Sequence, residues 1–157
     1  MRITVNKDQG SYMLELSLCM VKPHAFATKK LGAIISMLEA EDFHIVGIKS
    51  VKLTPEMARR FYFVHDGKEF FGRLTDYMSS GTVAAICVEK ENCVADLRRL
   101  VGATDPAEAA EGTIRRICGT TKEMNAVHAS DCFENAKKEI RFFFSDIELY
   151  SYRFIQY

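Results

Sequence analysis

Leu14-Glu15-Leu16-Ser17-Leu18-Cys19-Met20-Val21 alternates apolar and polar residues, then turns wholly apolar and stops at Lys22-Pro23. Period-two alternation is the mark of a strand with one face on a core, and proline closes it. Beyond the stop, Leu31, Ile34, Ile35 and Leu38 repeat at helical spacing and share one face. The segment from Phe43 to Leu53 is β-rich and reads as a second strand. Thr54-Pro55 supplies an N-cap and a first-turn proline for a helix running through Met57, Phe61 and Val64.

Phe70, Leu74, Tyr77 and Met78 line one face of a further short helix, which stops near Ser79-Ser80-Gly81. Thr82 to Val88 reads as a compact apolar strand, and Asn92 to Val101 as a helix. From Gly102 to Met124 no period holds, so a long loop with short turns is expected; loops of that length in small domains are usually functional. Ala126-Val127-His128 reads as a last short strand. Asp131-Cys132-Phe133-Glu134 has capping-box spacing and opens a final amphipathic helix. The order of elements fits an α+β fold: a ferredoxin-like four-stranded antiparallel sheet with helices covering its faces. Residues 1–13 are polar and without clear period; they read as an N-terminal extension to one domain over 14–157.

Composition sets the outer limits. The 157 residues suffice for one domain with a sizeable core, at 48% hydrophobic and 27% charged. The 21 basic and 21 acidic residues cancel, which argues against nucleic acid as a partner and requires any anion site to be built locally. No apolar run is long enough to span a bilayer, so no membrane partner is expected. Five cysteines without CxxC pairs suit reduced thiols and a cytoplasmic setting.

Three groups of residues carry chemical interest. The first centres on His128, at a strand end, followed by Ser130 and Asp131 at a helix start where free N–H groups favour phosphate. Glu139 lies eight residues past Asp131, roughly 12 Å along a helix. Its contact with His128 requires the chain to fold back over the first helical turns. The second group is cationic and hydroxylic: Lys22 at the end of the first strand, Arg98 on a helix, and Thr104 and Arg115 in the long loop. Scattered inward charges of this kind suit a polyphosphate, and no GxxxxGK[ST] loop offers a substitute. Singly, each such cation is more often a solvated surface group. The third group is Tyr62, Phe70 and Leu74, suited to clamping a planar base; Leu74 serves equally well as core. His24, His44 and His65 have no metal-ligand spacing, so no metal cluster is expected.

Taken in order, these residues resemble the nucleoside diphosphate kinase family. The likeness rests on Asn125-Ala126-Val127-His128-Ala129-Ser130-Asp131, on Lys22-Pro23 ending the first strand, and on Gly112-Thr113-Ile114-Arg115 in the long loop. Gly102-Ala103-Thr104-Asp105-Pro106 is similar to the family's Gly-x-Thr-Asn-Pro segment, and Phe70-Phe71 and Ser80-Gly81 fall in register. The resemblance runs from about Leu14 to Phe144. It implies a phosphotransferase in which His128 takes the γ-phosphoryl group of ATP or another nucleoside triphosphate and passes it to a nucleoside diphosphate. Lys22, Tyr62, Arg98, Thr104, Arg115 and Asn125 would hold phosphates and ribose. Phe70 would stack on the base beside Leu74, and Ser130 and Glu139 would support the imidazole. The resemblance further implies Mg2+ carried on the phosphates and a homo-oligomer, a hexamer favoured over a tetramer. The loop around Pro106 and the tail from Leu149 to Phe154 would supply contact surfaces.

The sequence departs from that family in places. His24 follows Lys-Pro where the family has Asp. Arg116-Ile117-Cys118 stands where Gly-Asp-Phe or Gly-Asp-Tyr is usual, one residue from Arg115, and Ala129 replaces a common glycine. These changes motivate an alternative: a kinase-like nucleotide-binding or scaffold module with weak or lost turnover.

Overall fold

The computed structural model describes the backbone of residues 3–7 and 10–13 and the whole of residues 14–150. In chain order it runs β1 (Ile3–Lys7), β2 (Gly10–Val21), α1 (Pro23–Ala27), α2 (Leu31–Ala40), β3 (His44–Lys52), α3 (Pro55–Phe61), α4 (Phe71–Ser79), β4 (Thr82–Glu91), α5 (Cys93–Val101), α6 (Ile114–Cys118), β5 (Val127–Ala129) and α7 (Phe133–Phe143). Short 3-10 turns cover Phe63–His65 and Asp146–Glu148.

The strands form one antiparallel sheet with β2 at its centre. β2 pairs with β4 along one side, while β5 takes the end of its other side and β1 the start. β3 lies beyond β4, so β5-β2-β4-β3 is the four-stranded ferredoxin-like core and β1 an addition to it. β2 begins at Gly10, earlier than the alternation from Leu14 suggests, because pairing with β1 recruits a segment whose own pattern is weak.

Alternation across β2 and β4 sorts the core into two layers. Cys19, Val21, Ala84, Ile86 and Val88 face α2, α5 and α6 through Ile34, Leu38, Leu97, Val101 and Ile114. Leu18, Met20, Val83, Ala85 and Cys87 face α3, α4 and α7 through Ala58, Met78, Ile140 and Phe143. Both faces are therefore covered, which is why the central strands read as nearly continuous apolar runs.

Element ends differ from the sequence reading where local chemistry decides them. Thr54 accepts the Met57 N–H and caps α3 as its sequence suggests. That helix stops at Phe61, however, and a 3-10 turn then leaves Val64 exposed on the way to Gly67, at φ +79°. Asp131 does not cap α7. Cys132 occupies the N-cap position, and Asp131 accepts instead from the Asn135 side chain. Phe133 is correspondingly only half-buried. A complete capping box forms at Ser145 and Glu148. The long loop contains α6, too short to declare a period of its own.

Candidate active site

Two crossings bring the site together. β5 pairs beside the end of β2, setting His128 opposite Met20. α7 then returns across the sheet with Ala136 and Ile140 inward, which carries Glu139 back to the strand it left. Glu139 Oε2 lies 2.9 Å from His128 Nε2 and accepts the Ser130 hydroxyl at 2.6 Å. The Ser130 oxygen in turn accepts the Leu18 N–H at 3.2 Å, so β2 itself anchors the group. Distance along the helix axis overstated the separation, because the chain reverses between β5 and α7.

The imidazole is oriented. Nε2 is buried, and the Glu139 carboxylate lies close to it but off the line of an N–H bond. The ring is 20% exposed, so the nitrogen open to the site is Nδ1. Phe61 and Tyr62 meet the ring in T-shaped contacts, with centroids at 5.3 and 5.8 Å. Just before β5, Ala126 takes φ +71°, a left-handed conformation costly for a residue with a Cβ, while its carbonyl accepts the Lys22 N–H. Ala129 has no such φ, so alanine at that position carries no backbone strain.

The cationic residues are aimed by backbone carbonyls. Lys22, at the end of β2, is 7% exposed and its ammonium donates to Glu123 O at 3.3 Å. Burial first, then the Arg115 charge, bring its pKa down to about 8, against the pull of Glu123. Arg115, on α6, donates to Gly102 O at 3.1 Å and Val127 O at 3.2 Å. Burial and the neighbouring Arg98 lower its pKa. Asn125 donates to Thr104 O at 2.9 Å. Tyr62 is buried, and its hydroxyl pKa is pushed up by that burial and by Glu139.

Arg98 and Thr104 are exposed at the rim, on α5 and on the segment after it. Phe70 is 43% exposed and tilts against His65 at 5.5 Å, and His65 stacks toward Tyr62 at 6.3 Å. Leu74 packs against the apolar layer under α3 and α4. Sequence reasoning overlooked Phe61, His65 and Glu123. Tyr62 and His65 are three residues apart, a spacing that could have flagged the second; the Glu123 carbonyl has no signature, since any residue offers one.

Unpaired polar atoms mark this region off from the rest. Among the described residues, five buried side-chain nitrogen or oxygen atoms have no hydrogen-bond partner. Tyr62 Oη, Arg115 Nε, Asn125 Oδ1 and His128 Nε2 are four of them; the fifth is Ser17 Oγ. Native folds rarely leave such atoms unpaired; with Nε2 facing Glu139, the gathering of Tyr62 Oη, Arg115 Nε and Asn125 Oδ1 here marks a place built for a polar ligand.

The nucleoside diphosphate kinase family model matches residues 15–149. The chain belongs to the nucleoside diphosphate kinase family. A nucleoside diphosphate kinase of Chloroherpeton thalassium is 47% identical over 135 residues, covering 86% of this chain and 96% of the relative. One of Chlorobium chlorochromatii is 46% identical over 136 residues, covering 87% and 97%. Among solved structures, the Aquifex aeolicus nucleoside diphosphate kinase superposes with a TM-score of 0.85 at 42% identity, over 87% of this chain and 99% of that one. The Halobacterium salinarum enzyme, in complex with CDP, gives 0.84 at 35% identity, over 88% and 92%.

The departures from this nucleoside diphosphate kinase pattern lie outside the ring of site groups. Arg116 turns outward. It pairs with Glu111 at 2.9 Å and reaches the carbonyls of Pro106 and Ala107. Ile117 is half-exposed and Cys118 joins the core beside α2. His24 takes part through its backbone N–H, which donates to the Tyr77 hydroxyl at 3.4 Å.

Proposed function

We propose that this chain transfers the γ-phosphoryl group of ATP or another nucleoside triphosphate to a nucleoside diphosphate through a phosphohistidine at His128. The observation that carries the reading is the gathering of buried Lys22, half-buried Arg115 and the unpaired Tyr62 Oη and Asn125 Oδ1 around one open imidazole nitrogen.

In the first half-reaction the Nδ1 lone pair of a neutral imidazole forms a bond to the γ-phosphorus. The bond to the bridging oxygen breaks, and the nucleoside diphosphate leaves with that electron pair. Positive charge develops on the ring, and the Glu139 carboxylate at Nε2 offsets it. Ser130 fixes that carboxylate. Lys22, Arg115 and Arg98 offset phosphate charge; Tyr62, Asn125 and Thr104 offer polar groups to phosphate and ribose; Phe70, with Leu74 beside it, stacks on the base. The second half-reaction reverses the first: a terminal oxygen of the incoming diphosphate takes the phosphoryl group and the lone pair returns to Nδ1. Donor and acceptor bonds are of one kind, so the site's task is positioning and charge compensation.

Mg2+ would enter with the nucleotide as part of the substrate and would offset phosphate charge. The donor set around His128 fits this, being cations, amide and hydroxyls, the groups that receive phosphate oxygens, with its one contacting carboxylate committed to the histidine and Ser130. We assign residues 14–157 to the catalytic domain and 1–13 to an N-terminal extension, and place the protein in the cytoplasm as a homo-oligomer, a hexamer favoured over a tetramer. No helix among the described residues is long and apolar enough to cross a membrane. Of the proposed contact surfaces, Pro106 is buried within its own chain, and the tail from residue 151 lies outside the described residues.

Brief incubation with γ-labelled ATP tests the proposal. An acid-labile, base-stable label on the wild-type chain, lost in His128→Ala, supports it. A folded wild-type chain that binds nucleotide and takes no label overturns it in favour of a binding or scaffold module.

A further inference from the structure

Glu139 alone leaves the rotation of the imidazole open. Its carboxylate lies 2.9 Å from Nε2 yet off the N–H line, so it attracts the ring without fixing the ring's plane. β5 is only three residues long, with His128 at its centre opposite Met20 of β2. What meets the ring plane is aromatic. Phe61 stands at 5.3 Å and 76° to it, within the range of a favourable edge contact.

Phe61 is itself held on several sides. It makes T-shaped contacts with Tyr62 at 4.9 Å and Phe142 at 5.3 Å, and a tilted one with Phe143 at 5.4 Å. Phe142 in turn carries the Arg60 guanidinium over its ring. The end of α3 and the end of α7 thus grip one phenyl ring, and that ring abuts the imidazole. Tyr62 also touches His128, but its hydroxyl belongs to the polar lining of the site. Phe61 has no polar atom to offer a phosphate.

We infer that Phe61 is a positioning residue for His128: its ring sets the rotation of the imidazole about Cβ–Cγ, so that Nδ1 faces the phosphates while Glu139 holds Nε2. Glu139 supplies charge and Phe61 supplies angle. Bond formation at phosphorus demands near-linear approach, so a ring free to swing spends less time competent. The inference rests on His128 being the phosphorylated residue.

The test compares wild type, Phe61→Leu and Phe61→Tyr, each confirmed as folded by its thermal transition. Three quantities are read: the single-turnover rate of phosphoenzyme formation, the dissociation constant for nucleoside diphosphate, and the imidazole nitrogen shifts of His128 by NMR. Phe61→Leu removes the ring at similar volume. It is expected to slow phosphorylation roughly three- to tenfold, the worth of one aromatic contact. Nucleotide affinity should stay within about twofold, since the phenyl group touches no phosphate, and the His128 nitrogens should move from one tautomer toward an average. Phe61→Tyr keeps the ring and should restore both rate and shifts. A folded Phe61→Leu variant with unchanged rate and shifts overturns the inference, as does a loss confined to nucleotide affinity or a Phe61→Tyr variant as slow as Phe61→Leu. A wild-type chain that takes no label overturns the phosphohistidine reading itself, and this inference with it; labelling of wild type and Phe61→Leu at equal rates overturns the inference alone.

Discussion

Replacing Lys22 by methionine should make the protein more stable at neutral pH while removing a cation we assign to the phosphates. Lys22 is 7% exposed, and burial together with Arg115 brings its pKa from the ordinary 10.5 to about 8. The folded state therefore releases the proton more readily than the unfolded chain. The sign follows from linkage: between about pH 8 and 10.5 the unfolded state binds more protons, so stability rises with pH across that window. The full benefit is present above 10.5, and all of it is lost once pH has fallen below about 8. At roughly 1.4 kcal/mol per pH unit, the gap corresponds to about 3 kcal/mol of destabilisation at pH 7. Methionine matches the lysine stem in length and carries no charge. Urea unfolding at pH 7 should show Lys22→Met more stable than wild type by up to about 3 kcal/mol, with the difference closing as pH approaches 10.5. Saturating nucleotide should reverse the order, because only wild type gains the full linkage of phosphate to the ammonium. A variant no more stable than wild type at pH 7, or a difference that does not change between pH 7 and 10.5, refutes the reasoning.

Other substitutions probe the remaining supports. Glu139→Gln keeps the shape beside Nε2 and removes the charge, so phosphoenzyme formation in a single turnover should slow about 10- to 100-fold while nucleotide affinity holds. Gly119→Ala puts a Cβ 2.6 Å from both the Arg115 carbonyl and Pro106 Cγ. It should cost about 1–3 kcal/mol in urea unfolding and raise KM by displacing α6. Arg116→Ala breaks an ion pair whose Glu111 partner is 84% exposed. Its effect on stability should stay below about 1 kcal/mol, with KM within roughly threefold of wild type; a larger rise in KM would show that the outward pairing does aim Arg115.

Hydrophobic period carried most of the fold into view. The apolar positions of β2, α2 and β4 answer to one strong constraint, burial between two helical layers, and they were legible from spacing alone. The misreadings fall where that constraint is weak. Gly10–Met13 joins β2 through backbone pairing with β1, which leaves no mark on side-chain pattern. Asp131 has capping spacing, yet Asn135 claims its carboxylate with a 2.7 Å bond, so Cys132 is left to start the helix. Within the site, the residue types of the polar and cationic groups were readable, whereas the Glu139 contact was not. It depends on α7 doubling back over β5, a tertiary fact that no local spacing contains.

The same limit explains how the site keeps its charge. Arg115 is held by the carbonyls of Gly102 and Val127, Lys22 by that of Glu123, and Asn125 by that of Thr104. A carbonyl orients a donor without neutralising it, whereas a carboxylate partner would compete with phosphate for the same cation. The carboxylate that does enter, Glu139, is turned to the imidazole and to Ser130, where negative charge favours the proposed nucleophile. Arg116 has the opposite arrangement, with a carboxylate at 2.9 Å, and it faces outward. Neighbouring arginines on one short helix thus take different roles according to whether their partner is neutral or charged. Burying Lys22 and half-burying Arg115 against backbone carbonyls costs stability, and that cost keeps the positive potential available to an anion. Every residue has a carbonyl, so this aiming is invisible in the sequence and appears only when the strands and loops are in place.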